Sequence, residues 1–322
     1  MEEASVTDED LSVGYRTVPA AERPRGIWLA PVKGVFYSPF ERWADPSEED
    51  LFDISVEPGI QWRSTTADDR ERLTDWFDLY KDNYSKDRRE RLLWANTVLR
   101  ALKPDFIDQM ADVGGRVVAF TLALSLKTSA PLASHVLRFE IEESAGGRLL
   151  PHSGNRAAET IQLPGWPLQQ QLGRSQVEEI PPVYAAVWRA FEQPVDHGMR
   201  RCLGAYRAAI TSKRLVDAVP ILACAALEAL SATHKSGTVI DRLARYSGSG
   251  DATKRLERFY RVRQWFAHGA DIPEMRDRQV RMNVIEDGLR LVKETILSAL
   301  QDIALFEAGK AGPKAVKAYL QA

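Results

Sequence analysis

Residues 251–269 read DATKRLERFYRVRQWFAHG, and the spacing within this stretch decides the class of fold. Leu256, Phe259 and Tyr260 recur at the i, i+3, i+4 intervals that place side chains on one face of an α-helix. Asp251, following the SGSG of 247–250, stands where an N-cap is expected, because a carboxylate there accepts amide protons that the first turn leaves unpaired. Gly269 is a natural helix stop. One residue breaks the pattern. Arg263 continues the apolar stripe one turn beyond Tyr260, and an unpaired charge on a buried face is costly, so it requires a partner. His268 lies five residues further on, about 140° around an ideal helix. The two side chains therefore converge only if the helix frays at Gly269, or if a second chain or helix closes a site between them.

Working outward, the chain reads as helical from Val183 almost to its end. The expected helices are Val183–Phe191, Val195–Lys213, Leu215–Thr233, Val239–Tyr246, Asp251–His268 and Glu274–Phe306. Toward the N-terminus the period changes. GIWLAPVKGVFY from Gly26 and GIQWRS from Gly59 read as short strands between proline and glycine punctuation. Thr66–Lys81 reads as a helix burying Leu73, Trp76, Phe77 and Tyr80, and Asp87–Leu102 as a second helix that ends before Pro104. VAFTLALSL alternates with period two, as does LRFEIE, and both read as strands, with a turn at Gly146-Gly147. The expected architecture is an α+β N-terminal domain followed by an all-α helical bundle. Its parts are an acidic flexible tail over 1–24, an α+β domain over 25–163, a proline-rich linker over 164–182 and a helical domain over 183–322.

Composition narrows the function classes. The 322 residues carry a net charge of −2, so an anionic ligand has to be met by a local patch rather than by the whole surface. Cys202 and Cys224 can build neither a disulfide framework nor a four-thiolate zinc site, and both fall in apolar helical surroundings, as buried reduced thiols of a cytoplasmic protein do. The acidic start MEEASVTDEDLS has no apolar stretch of a secretory signal. The longest apolar run, Ala218–Leu227, falls short of the roughly 20 residues that cross a bilayer, so no membrane role is expected. The five histidines show no metal-ligand spacing, so neither a metal nor another cofactor is expected. Gly248–Lys254 mimics a phosphate loop without its residue order, and there is no Gly-x-Ser-x-Gly elbow.

Three groups of residues can carry chemistry. Arg263 and His268 suffice for one reaction in particular: a guanidinium holds a phosphodiester through paired hydrogen bonds, and an imidazole moves the proton of a ribose 2′-hydroxyl or of the leaving oxygen. The bland alternative pairs Arg263 with a helix carboxylate and leaves His268 to cap helix carbonyls. Glu228 interrupts a helix otherwise apolar from Ala218 to Ala232 apart from Ser231, and a buried carboxylate must be paired or protonated. It either orients Arg242 or Arg263, or lies at the helix edge in solvent. Finally, Arg200, Arg207 and Arg214 recur every seven residues along a helix with no acidic residue, a stripe that either follows an RNA backbone or is an ordinary solvated face.

Arg263-x4-His268-Gly269, the aromatic Phe259-Tyr260 pair before it, the Leu227-Glu228-Ala-Leu230 helix and Arg242 between them together resemble the HEPN superfamily, particularly its Apea-like branch. The resemblance covers roughly Val195–Phe306, about a third of the chain. It implies an all-α HEPN-like bundle that forms a homodimer or higher homo-oligomer, with two Arg-x4–6-His motifs facing each other. It also implies a metal-independent endoribonuclease, of the kind found among toxins and effectors of antiviral defence. Under that resemblance Arg263 binds and polarises the scissile phosphate, and His268 transfers protons. Gln264 follows the arginine where many active members carry Asn, Asp or His, and still offers a hydrogen-bonding side chain. Other members are non-catalytic dimerisation or nucleotide-binding modules. The N-terminal half carries no chemical motif and is expected to sense a trigger, recognise substrate, restrain the helical half or meet a regulatory partner.

Overall fold

The computed structural model describes residues 26–33, 35–37, 52–67, 69–71, 74, 97–103, 110–128, 133–134, 138–141, 149–151, 170–211, 216–244 and 251–307. The expected N-terminal tail, the body of the Thr66–Lys81 helix, the Gly146-Gly147 turn and Arg214 lie outside these residues. The described residues divide into two compact units, one built on a sheet and the other mainly on helices.

The strands are β1 (Gly26–Lys33), β2 (Val35–Tyr37), β3 (Asp53–Glu57), β4 (Ile60–Ser64), β5 (Thr97–Lys103), β6 (Ala133–Ser134), β7 (Arg138–Ile141), β8 (Leu149–Pro151) and β9 (Gln170–Leu172). In the first unit an antiparallel sheet runs in the order β3-β4-β5-β1-β7-β8. Pro58-Gly59 turns β3 into β4, with Gly59 at φ 79°, in the left-handed region that glycine enters without penalty. Ile60, Trp62 and Val98 are fully buried, and the edge of Phe52 meets Trp62 with ring centroids 4.8 Å apart. A helix begins where the sequence placed it: the hydroxyl of Thr66 accepts the Asp69 N–H (3.3 Å), and the Asp69 carboxylate accepts the Thr66 N–H (3.1 Å). Arg63 donates two hydrogen bonds to the same carboxylate, at 2.7 and 2.9 Å.

Two expectations are corrected in this half. Thr97–Leu102, read as the end of a helix, belongs to β5, which pairs with β1 on one side and β4 on the other. Two hydrogen-bonded neighbours and buried Val98 and Leu99 outweigh the helical propensity of the segment. The rest of that expected helix, 87–96, lies outside the described residues. VAFTLALSL, read as a strand, lies in helix α1 (Met110–Lys127). Its alternate positions hold Ala119, Thr121, Ala123 and Ser125, and nearly every residue from Val117 to Leu126 is buried, so a fully covered helix shows an apparent period of two.

The second unit contains the parallel β2-β9 pair, α1 from Ala119 onward, and the helices α2 (Arg174–Glu178), α3 (Ile180–Glu192), α4 (Gly198–Thr211), α5 (Val219–Ser231), α6 (Ser236–Leu243), α7 (Ala252–His268) and α8 (Arg278–Glu307). Single 3₁₀ turns, Val216–Ala218 and Pro273–Met275, precede α5 and α8. The expected helices of this half are present, and their expected ends at Lys213, Leu215 and Tyr246 lie outside the described residues. The expected linker is regular from Gln170 onward, because the first turn of a helix leaves its amide protons free and so accepts Pro181 and Pro182 in α3; residues 164–169 lie outside the described set. Helix α5 is central and contacts α4, α6, α7 and α8. Cys202 on α4 and Cys224 on α5 are buried, as expected, and burial pushes both thiols well above the ordinary range.

Helices α7 and α8 approach closely at Gly288, where an added Cβ would stand 2.0 Å from Cδ2 of the Phe259 ring. Gly288→Ala is expected to lower stability by about 1–3 kcal/mol, the usual cost of overpacking a rigid contact. Gly204→Ala, in the middle of α4 with nothing within 4 Å of the new methyl group, is expected to raise stability by about 0.5–1 kcal/mol. Urea midpoints of the two variants should move in opposite directions.

Candidate functional site

The site is built around a carboxylate inside the central helix. Ten of the thirteen residues of α5 are buried, among them Ala223, Cys224, Leu227, Glu228, Leu230 and Ser231. The Glu228 side chain is 8% exposed, so of the two sequence readings the solvated helix edge is excluded. One of its oxygens faces Arg263 Nη2 at 3.2 Å, and the other faces His234 Nδ1 at 3.1 Å. Arg263 projects from α7, whose Leu256, Phe259, Tyr260 and Val262 are buried, and its side chain is 27% exposed. The arginine on the apolar stripe thus has the partner that desolvation requires, on the neighbouring helix.

Arg242 is the other arginine considered for Glu228, and the structure assigns it elsewhere. Its Nη1 donates a hydrogen bond to the Ser231 carbonyl at 2.5 Å, closing the C-terminus of α5. That end carries a Schellman arrangement: the Ala232 N–H reaches the Ala229 carbonyl (3.4 Å) and the Thr233 N–H reaches the Glu228 carbonyl (3.3 Å). Ala232 is left-handed at φ 52°, the only non-glycine residue with positive φ among the described residues. This reversal returns the chain over the last turn of α5 and brings His234 to the Glu228 carboxylate, six residues back in sequence.

Around the pair, several buried polar atoms lack hydrogen-bond partners among the described residues. They are Glu228 Oε1, Arg263 Nε and the Tyr260 hydroxyl. The Glu228–Arg263 contact is therefore a charge pair lying off the line of a hydrogen bond. Arg263 Cζ lies 6.0 Å from the centroid of the Tyr260 ring, at the outer limit of a cation–π contact. Burial pushes the Tyr260 hydroxyl far above the usual phenol range, and the neighbouring Cys224 and Glu228 act in the same direction while Arg263 opposes them.

His268 occupies the last turn of α7, which stays helical to that residue and ends at Gly269 with φ 64°. The helix does not fray, so Arg263 and His268 keep the five-residue angular offset and point to different sides of α7. His268 is exposed and makes no hydrogen bond or ion pair to a described residue, and Gln264 is exposed beside Arg263. Asp251 holds the N-cap position of α7 through its carbonyl, which accepts the Arg255 N–H at 3.1 Å, but makes no side-chain cap bond. The arginine row on α4 is not an open stripe. Arg200 is half-buried and donates to the Gln193 carbonyl, while Arg207 is half-buried with its pKa lowered by that burial.

Sequence reasoning missed His234. It lies in the short connection between α5 and α6, and only the left-handed turn at Ala232 makes it a neighbour of Glu228. Among the described residues no group of three or more His, Cys, Asp or Glu side chains is placed to hold a metal ion, and no helix is long and apolar enough to cross a membrane. No family model matches the chain, and no curated protein or solved structure was found to be similar to it.

Removing Glu228 leaves Arg263 partly buried without its counter-charge. Glu228→Ala is expected to cost about 1–3 kcal/mol, the range for leaving a buried polar group unsatisfied. A urea-unfolding difference within about 0.5 kcal/mol of wild type, as for an ordinary surface substitution, would contradict the pairing.

Proposed function

We propose that the helical half is a metal-independent endoribonuclease of the HEPN type, in which Arg263 binds the scissile phosphate of RNA and His268 transfers protons. The observation that carries this reading is Arg263 itself: a guanidinium held from behind by a buried carboxylate on α5, yet still 27% exposed. Fixed in this way, it loses little side-chain freedom on meeting a phosphate and can offer paired donors to it. His268 is exposed on the same helix and pairs with no carboxylate among the described residues, which leaves its imidazole open to exchange a proton with a bound ligand. Because α7 holds the two side chains on different sides, a site that uses both draws on a second copy of the chain, so the active species is a homodimer or larger homo-oligomer.

Proton transfer by a positioned histidine supplies about 10²–10⁴ in rate, and a fixed cation facing the charge on the phosphorane adds about 10²–10³. Such a factor suits a slow ribonuclease acting in a cytoplasm as a toxin or antiviral effector, restrained by the sheet-containing half or by a regulatory partner bound to it. The ion pair with Glu228 also favours a second reading, a non-catalytic dimerisation or nucleotide-binding module in which Arg263 serves chiefly to hold α5 and α7 together.

Cleavage of RNA in excess EDTA by wild type, Arg263→Ala and His268→Ala separates the two. The ribonuclease reading expects cleavage by wild type, reduced at least 10²-fold by Arg263→Ala while that variant stays folded. Absence of cleavage by wild type on several RNAs favours the module.

A further inference from the structure

We infer that His234 is a further proton-transferring residue of this site, oriented by Glu228 and working beside Arg263 within one copy of the chain. The inference rests on the ribonuclease reading and specifies its chemistry. Its basis is that one buried carboxylate is shared by two side chains on separate elements: Arg263 of α7 on one oxygen, and His234 of the α5–α6 connection on the other. An ionised carboxylate offers only acceptors, so the 3.1 Å contact requires His234 Nδ1 to carry the proton. The opposite nitrogen, Nε2, is then the basic one. With the imidazole 82% exposed, that nitrogen is open to a ligand, whereas the Glu228 carboxylate behind it is 8% exposed. A carboxylate that fixes an imidazole tautomer and supports the imidazolium is the usual way to make a histidine an effective base.

Two features hold this arrangement in place. The left-handed Ala232 reverses the chain, a conformation costly for a residue with a side chain, and the Schellman hydrogen bonds hold the reversal. Arg242 ties α6 to the last turn of α5 through the Ser231 carbonyl, bracing the far side of the same connection. The charged and titratable groups that face Glu228 from the packed helices are Cys224 on α5 and Tyr260 and Arg263 on α7.

In the step assigned to it, His234 Nε2 takes the proton of a ribose 2′-hydroxyl. The 2′-oxygen forms a bond to phosphorus, whose charge Arg263 faces. The bond from phosphorus to the 5′-oxygen breaks, and that oxygen leaves with the electron pair and takes the proton of the His268 imidazolium. The His234 imidazolium gives its proton to solvent water, from which His268 is protonated again. The products are a 2′,3′-cyclic phosphate and a 5′-hydroxyl, and no oxidant, reductant or further reactant is consumed.

The test uses the full chain. Histidine side-chain nitrogen NMR is recorded for wild type and Glu228→Gln, with and without uridine 3′-monophosphate as probe. RNA cleavage in EDTA is measured for wild type, His234→Ala and Arg263→Ala. The expected result is an Nδ1–H tautomer for His234 in wild type, lost in Glu228→Gln, with His234 ring signals moved by the nucleotide. His234→Ala should slow cleavage by about 10²–10⁴-fold with an unchanged unfolding midpoint, as its exposure allows. An Nε2–H tautomer in wild type overturns the inference. Cleavage by His234→Ala within about threefold of wild type, alongside a large loss in Arg263→Ala, overturns it while leaving the ribonuclease reading intact. Absence of cleavage by wild type overturns both.

Discussion

The site depends on one ionisable side chain inside the most buried helix of the second unit. Glu228 sits on α5 among Cys224, Leu227, Leu230 and Ser231, where a carboxylate without a counter-charge would cost several kcal/mol. That constraint selects its neighbours. Arg263 has to face it from α7, and the end of α5 has to turn so that His234 meets the second oxygen. Neither contact is needed to bury apolar surface. An apolar residue at 228 would pack a helix of this kind at lower desolvation cost, so the carboxylate stabilises a particular placement of side chains more than it stabilises the fold.

The consequence is an arginine with a fixed direction. Arg263 is neither free in solvent nor sealed in the core, and the ring of Tyr260 lies beneath it. Its orphaned Nε and the unpaired Tyr260 hydroxyl mark a place where the chain's own groups leave hydrogen-bonding capacity unused. Gly288 lets α8 press against Phe259 on the same helix, while Arg255 of α7 forms a charge pair with Asp287 of α8 at 2.8 Å, so the helix that carries the arginine is anchored along its length.

Much of the helical half was legible in the sequence, because amphipathic helices advertise their period. Val183–Phe191 and Asp251–His268 fall within a few residues of α3 and α7. The stretch N-terminal to residue 170 was less so. Val118–Leu126 is covered on nearly all sides, and a helix buried all round loses the polar stripe that reveals its period. Thr97–Lys103 is a strand because β1 and β4 lie on either side of it, a non-local fact that no window of sequence contains. The site divides in the same way. Glu228 and Arg263 each stand out as a charge within an apolar stripe, a mismatch that calls for a partner without saying which. Arg242, one of the two arginines offered to the Glu228 carboxylate, meets instead the Ser231 carbonyl that closes the same helix. His234 stayed hidden because the turn that delivers it uses alanine where a glycine would have signalled a left-handed residue.

The coupling between Glu228 and Arg263 is the claim on which the rest stands, and a double-mutant cycle measures it directly. Glu228→Ala, Arg263→Ala and the double variant would be compared with wild type by equilibrium urea unfolding of the full chain. The account predicts a coupling of about 1 kcal/mol or more, with the double variant less destabilised than the sum of the two singles. Effects that add to within about 0.3–0.5 kcal/mol, the behaviour of independent residues, would contradict it.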